Sequence, residues 1–157
     1  MRIRMRTALS VACLLLLAAG CGKDRSVEKL SEQLEDGKAK TRRHASRELR
    51  DMGPRAQAAV PKLAEALKDE DPRVRRNAAQ ALRDMGAGAR EAVGALIEAL
   101  KDKEPKVRQI AATALGKIGP DAREAINPLT AATKDSSPQV REAAALALNK
   151  IRRKPRS

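Results

Sequence analysis

Apolar side chains recur along this chain at intervals of 33 positions. Val27, Val60, Val93 and Ile126 form one column, Leu30, Leu63, Leu96 and Leu129 a second, and Leu34, Leu67, Leu100 and Thr133 a third. Later in each unit come Thr41, Val74, Val107 and Val140, and then Ala45, Ala78, Ala111 and Ala144. Leu49, Leu82, Leu115 and Leu148 follow, and Met52, Met85, Ile118 and Ile151 close the set. In the second unit Val60, Leu63, Ala64 and Leu67 fall on one helical face, and so do Val74, Ala78, Ala81, Leu82 and Met85. Between the two runs, Asp71 and Pro72 supply a helix cap and a first-turn proline, a signal that Ser137-Pro138 repeats and Glu104-Pro105 repeats with a weaker cap. Gly53, Gly86 and Gly119 stop the second runs.

Each unit is thus predicted to be an antiparallel pair of helices, roughly 11 and 14 residues long. One pair leaves its apolar stripe bare, whereas four pairs stacked side by side share a continuous core. The expected fold is all-α, an α-α superhelix over residues 27–152, with units at about 27–54, 55–87, 88–120 and 121–152. The core is built without Phe, Tyr or Trp. Ala, Leu and Val suit thin helix layers with close backbones, and a GC-rich genome explains the missing aromatics equally well.

The run from Asp71 to Leu82 resembles the bacterial HEAT-like repeat found in phycobilin lyases and many other proteins. So do Ala92-Val93-Gly94-Ala95-Leu96 and Ile118-Gly119-Pro120-Asp121-Ala122 between units. The resemblance covers about residues 26–152. It implies the solenoid fold and leaves the function open, because these repeats serve as scaffolds in unrelated systems. It also implies a ladder in which Asp36, Asp69, Asp102 and Asp135 in the turns bond Arg42, Arg75, Arg108 and Arg141 of their own or the next repeat. Arginine suits that role because its fork bridges two acceptors.

The N-terminus carries a targeting pattern. Arg2, Arg4 and Arg6 precede an apolar stretch from Ala8 to Ala19, which is too short for a comfortable membrane span. It ends in Leu17-Ala18-Ala19-Gly20-Cys21 and resembles a bacterial lipoprotein signal, with Ala18 where leucine is commoner. An ordinary signal peptide cut nearby, or an uncleaved anchor, is the alternative. The resemblance implies a signal peptide at 1–20, a lipidated Cys21 carrying palmitate-type chains, a short linker over 21–26 and a basic tail at 153–157. Two lipid attachments hold a protein stably on a membrane. Gly22 after the cysteine leans the expected location towards the outer membrane or the periplasmic face of the bacterial envelope. With Cys13 lost and Cys21 lipidated, neither of the two cysteines is left for a disulfide or a metal.

The formal charge is +13, with 33 basic and 20 acidic residues. It is distributed unevenly over the polar stripe of the second helices, which HEAT-like stacks turn to their concave side. Lys40, Arg43, Arg47 and Arg50 are all cationic, and three of Arg73, Arg76, Gln80 and Arg83 are. Lys106, Gln109, Thr113 and Gly116 carry one charge, and Gln139, Glu142, Leu146 and Asn149 carry a single negative one. Solubility and codon bias are one explanation, and a contact stripe for an acidic partner is the other. The outer helices mix signs, as in Lys62 with Glu65 and Glu98 with Lys101, which favours the second.

These features give a non-enzymatic protein-binding scaffold or adaptor, tethered to the envelope membrane, with an acidic envelope protein as partner. The expected contact stripe is Lys40, Arg43, Arg47, Arg50, Arg73, Arg76 and Arg83. The alternative is a membrane-surface spacer oriented by anionic lipid. A HEAT-like lyase ranks below both, since no lyase-specific constellation is apparent. Nucleic acid is not expected, because export removes it and base stacking needs aromatics. No cofactor or metal is expected, as His44 stands alone. At the C-terminal end Leu146 occupies a stripe position that is polar in earlier units, so the stack either simply ends there or docks onto a partner or a second copy.

Overall fold

The computed structural model describes residues 21–153. Residues 1–20, where a signal peptide is expected, and residues 154–157 lie outside it, as does the side chain of Cys21, so the signal and lipidation expectations fall outside the described residues. Eight α-helices follow one another: α1 (Cys21–Gln33), α2 (Ala39–Met52), α3 (Val60–Ala66), α4 (Pro72–Met85), α5 (Val93–Ala99), α6 (Pro105–Ile118), α7 (Ile126–Ala132) and α8 (Pro138–Arg152). Among the described residues there is no strand, and no helix is long and apolar enough to cross a membrane. Helix pairs stack in order, as the 33-residue period requires.

The even-numbered helices match expectation: α2, α4 and α6 have 14 residues each and α8 has 15. The odd-numbered ones differ. In place of one helix of about 11 residues, the last three units have a 3-10 segment followed by a seven-residue α-helix. The 3-10 segments are Gly53–Ala59, Gly86–Ala92 and Gly119–Ala125. Each is bent at one alanine, Ala56, Ala89 or Ala122, whose φ of −91° to −95° and positive ψ leave the helical region. All three alanines are fully buried, so the bend presses the chain onto its neighbour where only a methyl group fits. The α-helices then restart at Val60, Val93 and Ile126.

Two further boundaries shift. The units begin at Gly53, Gly86 and Gly119, whose φ of +56°, +54° and +76° with ψ near −130° suits a residue without Cβ and turns the chain back between layers. Residues 21–26, expected as a linker, form the start of α1. As a helix they reach about 8 Å, against about 18 Å if extended.

Leu49, Leu63, Leu82, Leu96, Leu115 and Leu129 are fully buried at the centre of the stack. Removing any one to alanine costs about 2–5 kcal/mol through lost transfer energy and the cavity left behind. Ala45, Ala78, Ala111 and Ala144 are equally buried and keep the layers thin. The helices α2, α4, α6 and α8 pack on one another along their lengths, whereas the odd-numbered helices touch their neighbours sparsely. The even-numbered helices thus form the closely packed layer, the one whose polar stripe is expected to be the inner face.

Candidate interaction surface: the arginine ladder and the inner face

The turn before each even-numbered helix is held by an aspartate. Asp36, Asp69, Asp102 and Asp135 each accept a hydrogen bond from the backbone N–H two residues on, at 2.7–2.8 Å. This fixes the chain as it enters α2, α4, α6 and α8. The remaining acceptor capacity of three of them goes to an arginine of the preceding repeat. Arg42 Nε lies 2.7 Å from Asp69 Oδ2, Arg75 Nε 2.7 Å from Asp102 Oδ2, and Arg108 Nε 2.8 Å from Asp135 Oδ2. In each pair Nη2 donates to the other carboxylate oxygen. Nη1 donates to the carbonyl of the arginine's own turn, at Asp36, Asp69 and Asp102. One guanidinium thus ties its own turn to the next.

Both ends of the row differ from the middle. The Asp36 carboxylate meets no arginine among the described residues and caps only Lys38 N–H. Arg141 donates to the Asp135 and Ser136 carbonyls and reaches no carboxylate among the described residues. Mutual hydrogen bonding holds the Asp135 carboxyl below the usual carboxylate range and raises Arg108 above its ordinary value. Arg42 is raised by Asp69 first and Glu70 second.

A second buried polar contact joins repeats one and two. Ser46, fully buried, donates to Arg43 O at 3.0 Å and accepts from Asn77 Nδ2 at 3.1 Å, while Arg50 Nη1 donates to Asn77 Oδ1 at 3.0 Å. Sequence reasoning missed Ser46 and Asn77, although both stand in columns that are alanine or isoleucine in later units. It also overstated one cap. Asp71 accepts from Arg73 N–H at 2.8 Å as expected, but the Ser137 hydroxyl turns to Gln139 Oε1 and caps nothing.

The inner stripe is less uniformly positive than its seven basic residues suggest. Arg43 lies 3.4 Å from Asp71, Arg47 is 3.9 Å from Asp51, and Arg50 is 2.8 Å from Asp51. Arg83 is 2.9 Å from Asp84, which Lys117 approaches from the next repeat at 3.6 Å. These neighbours hold the Asp84 carboxyl below the usual range, Arg83 first. Among the described residues Lys40, Arg73, Arg76 and Lys106 make no ion pair. Lys40, Arg73 and Lys106 share one column and are all exposed, at the start of α2, α4 and α6. The buried Nε of Arg76 has no acceptor. The unneutralised charge therefore runs along the end of the stripe nearest the ladder, and the far end is balanced by Asp51 and Asp84.

Gly116, in the stripe column of Arg50 and Arg83, is buried because α8 comes close there; a Cβ on it would stand 2.8 Å from Ala147 Cα. Leu146, on α8, is 54% exposed. His44 is exposed and faces only Glu48, at 3.9 Å. Among the described residues no group of three His, Cys, Asp or Glu side chains could hold a metal ion.

Stacked helix pairs joined by this row of turns define an α-α repeat solenoid, a fold typical of protein-binding scaffolds. The chain belongs to the HEAT repeats, whose family profile matches residues 27–93 and 93–157. No curated protein matches it. Solved structures do. An engineered protein is similar at 26% identity and a TM-score of 0.67, over 80% of this chain and 62% of that one. The complex of CpcE and CpcF of phycocyanin lyase from Nostoc sp. PCC7120 is similar at 27% identity and a TM-score of 0.65, over 93% of this chain and 62% of that one. A designed armadillo repeat protein in complex with the peptide (KR)4 shares the fold at 18% identity and a TM-score of 0.70, over 87% of this chain and 66% of that one. The chain spans less than two thirds of the length of each of these three proteins.

Proposed function

We propose that this protein is a non-enzymatic adaptor of the bacterial envelope that holds an acidic segment of another protein along its inner face. The observation that carries this reading is the column Lys40, Arg73 and Lys106, joined by Arg76: cations in register on successive helices, with no carboxylate paired to them among the described residues. A column of cations left without an ion pair in three consecutive repeats of one helix layer suits an acidic segment laid across those helices. Opposite charge steers such a segment in, and pairing along the groove then fixes its register. Arg43 supplies a further contact in part, while Arg47, Arg50 and Arg83 are already occupied by Asp51 and Asp84. The armadillo relative that holds the peptide (KR)4 supports the general mode, a repeat stack gripping a charged peptide, with the signs exchanged here.

The tether in this reading is lipid on Cys21, supported by the signal-like sequence before it. Because α1 starts at Cys21, the first repeat sits close to the surface. Two measurements test the function: vesicle binding by residues 22–157, which lack both the signal-like segment and the lipid site, and cross-linking of the whole protein in the envelope. For an adaptor, the protein stays in the supernatant with anionic phosphatidylglycerol vesicles, and in the envelope it cross-links to an acidic protein in a manner lost on Arg73→Glu. Pelleting with those vesicles that is abolished by Arg43→Glu and Arg47→Glu replaces the adaptor by a lipid-oriented spacer.

A further inference from the structure

The two ends of the arginine row complement each other, and we propose that copies of this protein associate head to tail, the last repeat of one docking on the first repeat of the next in the same register as the internal repeats. Each contact across an internal boundary can be carried by the 33-residue period onto the join between two copies. The ladder bond of Arg108 to Asp135 becomes Arg141 to Asp36. These are the two ladder groups with no ionic partner among the described residues, and each is already oriented by its own turn.

Three other boundary contacts also carry over with compatible chemistry. Arg43 to Asp71, at 3.4 Å, becomes Glu142 to Lys38. Asp84 to Lys117, at 3.6 Å, becomes Lys150 to Asp51. In both, the two residues have exchanged sign together, so attraction is kept. Arg50 to Asn77, at 3.0 Å, becomes Asn149 to His44, an amide facing an imidazole. Three contacts carry over badly: the ion pair of Lys62 with Glu35 becomes Lys29 facing Lys134, the hydrogen bond of Asn77 to Ser46 becomes His44 facing Ala145, and the ion pair of Arg42 with Glu70 becomes Arg141 facing Gly37.

The apolar side of the join is thin. Ala145 stands in the column of Ala79 and Ala112, both fully buried by the next repeat, and is itself exposed. It would meet a first repeat in which Thr41 and Glu48 replace the Val and Ala of later units. The association is therefore polar, weakened by salt, and open-ended, because a head-to-tail contact that does not close a ring propagates. It involves the stack's ends and stands independently of the inner-face function.

Zero-length carbodiimide coupling of the full chain at low ionic strength tests this directly, since it joins lysine to carboxylate only where they touch. Lys38 and Glu142, like Lys150 and Asp51, lie at opposite ends of one stack, so any link between them is intermolecular. The expected result is a series of dimers, trimers and higher species whose linked peptides are Lys38–Glu142 and Asp51–Lys150. Arg141→Asp reduces the series by about tenfold, as does Asp36→Arg. The double variant Arg141→Asp with Asp36→Arg restores it, which a folding defect in either single variant would not allow. Only monomer at millimolar concentration, links confined to other residue pairs, or an undiminished series in Arg141→Asp each overturns the proposal.

Discussion

Arg75 grips Asp102, 27 residues further on, through two parallel hydrogen bonds of 2.7 and 3.1 Å, and both side chains are more than nine-tenths buried. The same guanidinium donates to the carbonyls of Asp69 and Glu70 in its own repeat. A lysine has no fork to make these bonds at once. The repeat boundary is therefore fastened at the turn as well as in the leucine core, and its geometry follows from where the aspartate's own Asx turn aims the carboxylate.

Loss of a ladder arginine should cost more than loss of a stripe arginine. Arg108→Ala strands Asp135 at a nearly buried position, and breaking a charge-assisted, partly buried bond costs about 2 kcal/mol or more. Arg83→Ala removes a half-exposed pair with its sequence neighbour Asp84, of the kind that contributes about 0.5 kcal/mol. Thermal melting should fall by roughly 5–10 °C for Arg108→Ala and by about 2 °C or less for Arg83→Ala. Equal shifts would remove the ladder from the stability of the stack.

Acid should erase the Arg108 effect. The Asp135 carboxyl is held below its ordinary value by Arg108, so its contribution is fully present above the unfolded carboxylate pKa of about 3.9 and is lost as pH falls through the lower, folded value. The difference in melting temperature between the parent protein and Arg108→Ala should be constant above about pH 5 and should close progressively below about pH 4. A gap that persists unchanged at pH 2 means that the arginine acts by packing alone.

Two glycines inside helices should respond in opposite directions to alanine. At Gly116 the new Cβ would lie 2.8 Å from Ala147 Cα and 3.0 Å from its Cβ, both on the packed helix α8. Separating α6 from α8 costs about 1–3 kcal/mol, more than helix propensity returns. At Gly94 nothing lies within 4 Å, so alanine should stabilise by up to about 1 kcal/mol. Urea denaturation of Gly116→Ala and Gly94→Ala measures both signs.

Much of this fold is written in the periodic columns: Leu63, Leu96 and Leu129 are buried because the 33-residue spacing puts them in one line along the stack. The 3-10 segments escape such a reading, since Ala56, Ala89 and Ala122 look like ordinary helix formers and the bend comes from the tertiary fit around them. The ladder residues are legible by type and column, but the choice between own and next repeat needs three dimensions: carbonyls serve the first and carboxylates the second. The stripe shows the opposite failure. Arg50 and Arg83 stand on the inner face in sequence, yet their charge is met by Asp51 and Asp84, which immediately follow them and belong to a different helical phase. Counting one face of a wheel overlooks neighbours that reach around it.

The inner-face function is tested most directly by fluorescence anisotropy of a labelled glutamate-rich peptide titrated with the full chain across a salt series. The expected result is saturable binding that weakens as salt rises. Lys40→Glu, Arg73→Glu or Lys106→Glu should each loosen it by about tenfold, while neutralising a whole pair, Arg50→Gln with Asp51→Asn or Arg83→Gln with Asp84→Asn, should change it about twofold or less, because those pairs carry no net charge. Absence of binding, or equal losses from the paired and the unpaired cations, would contradict it.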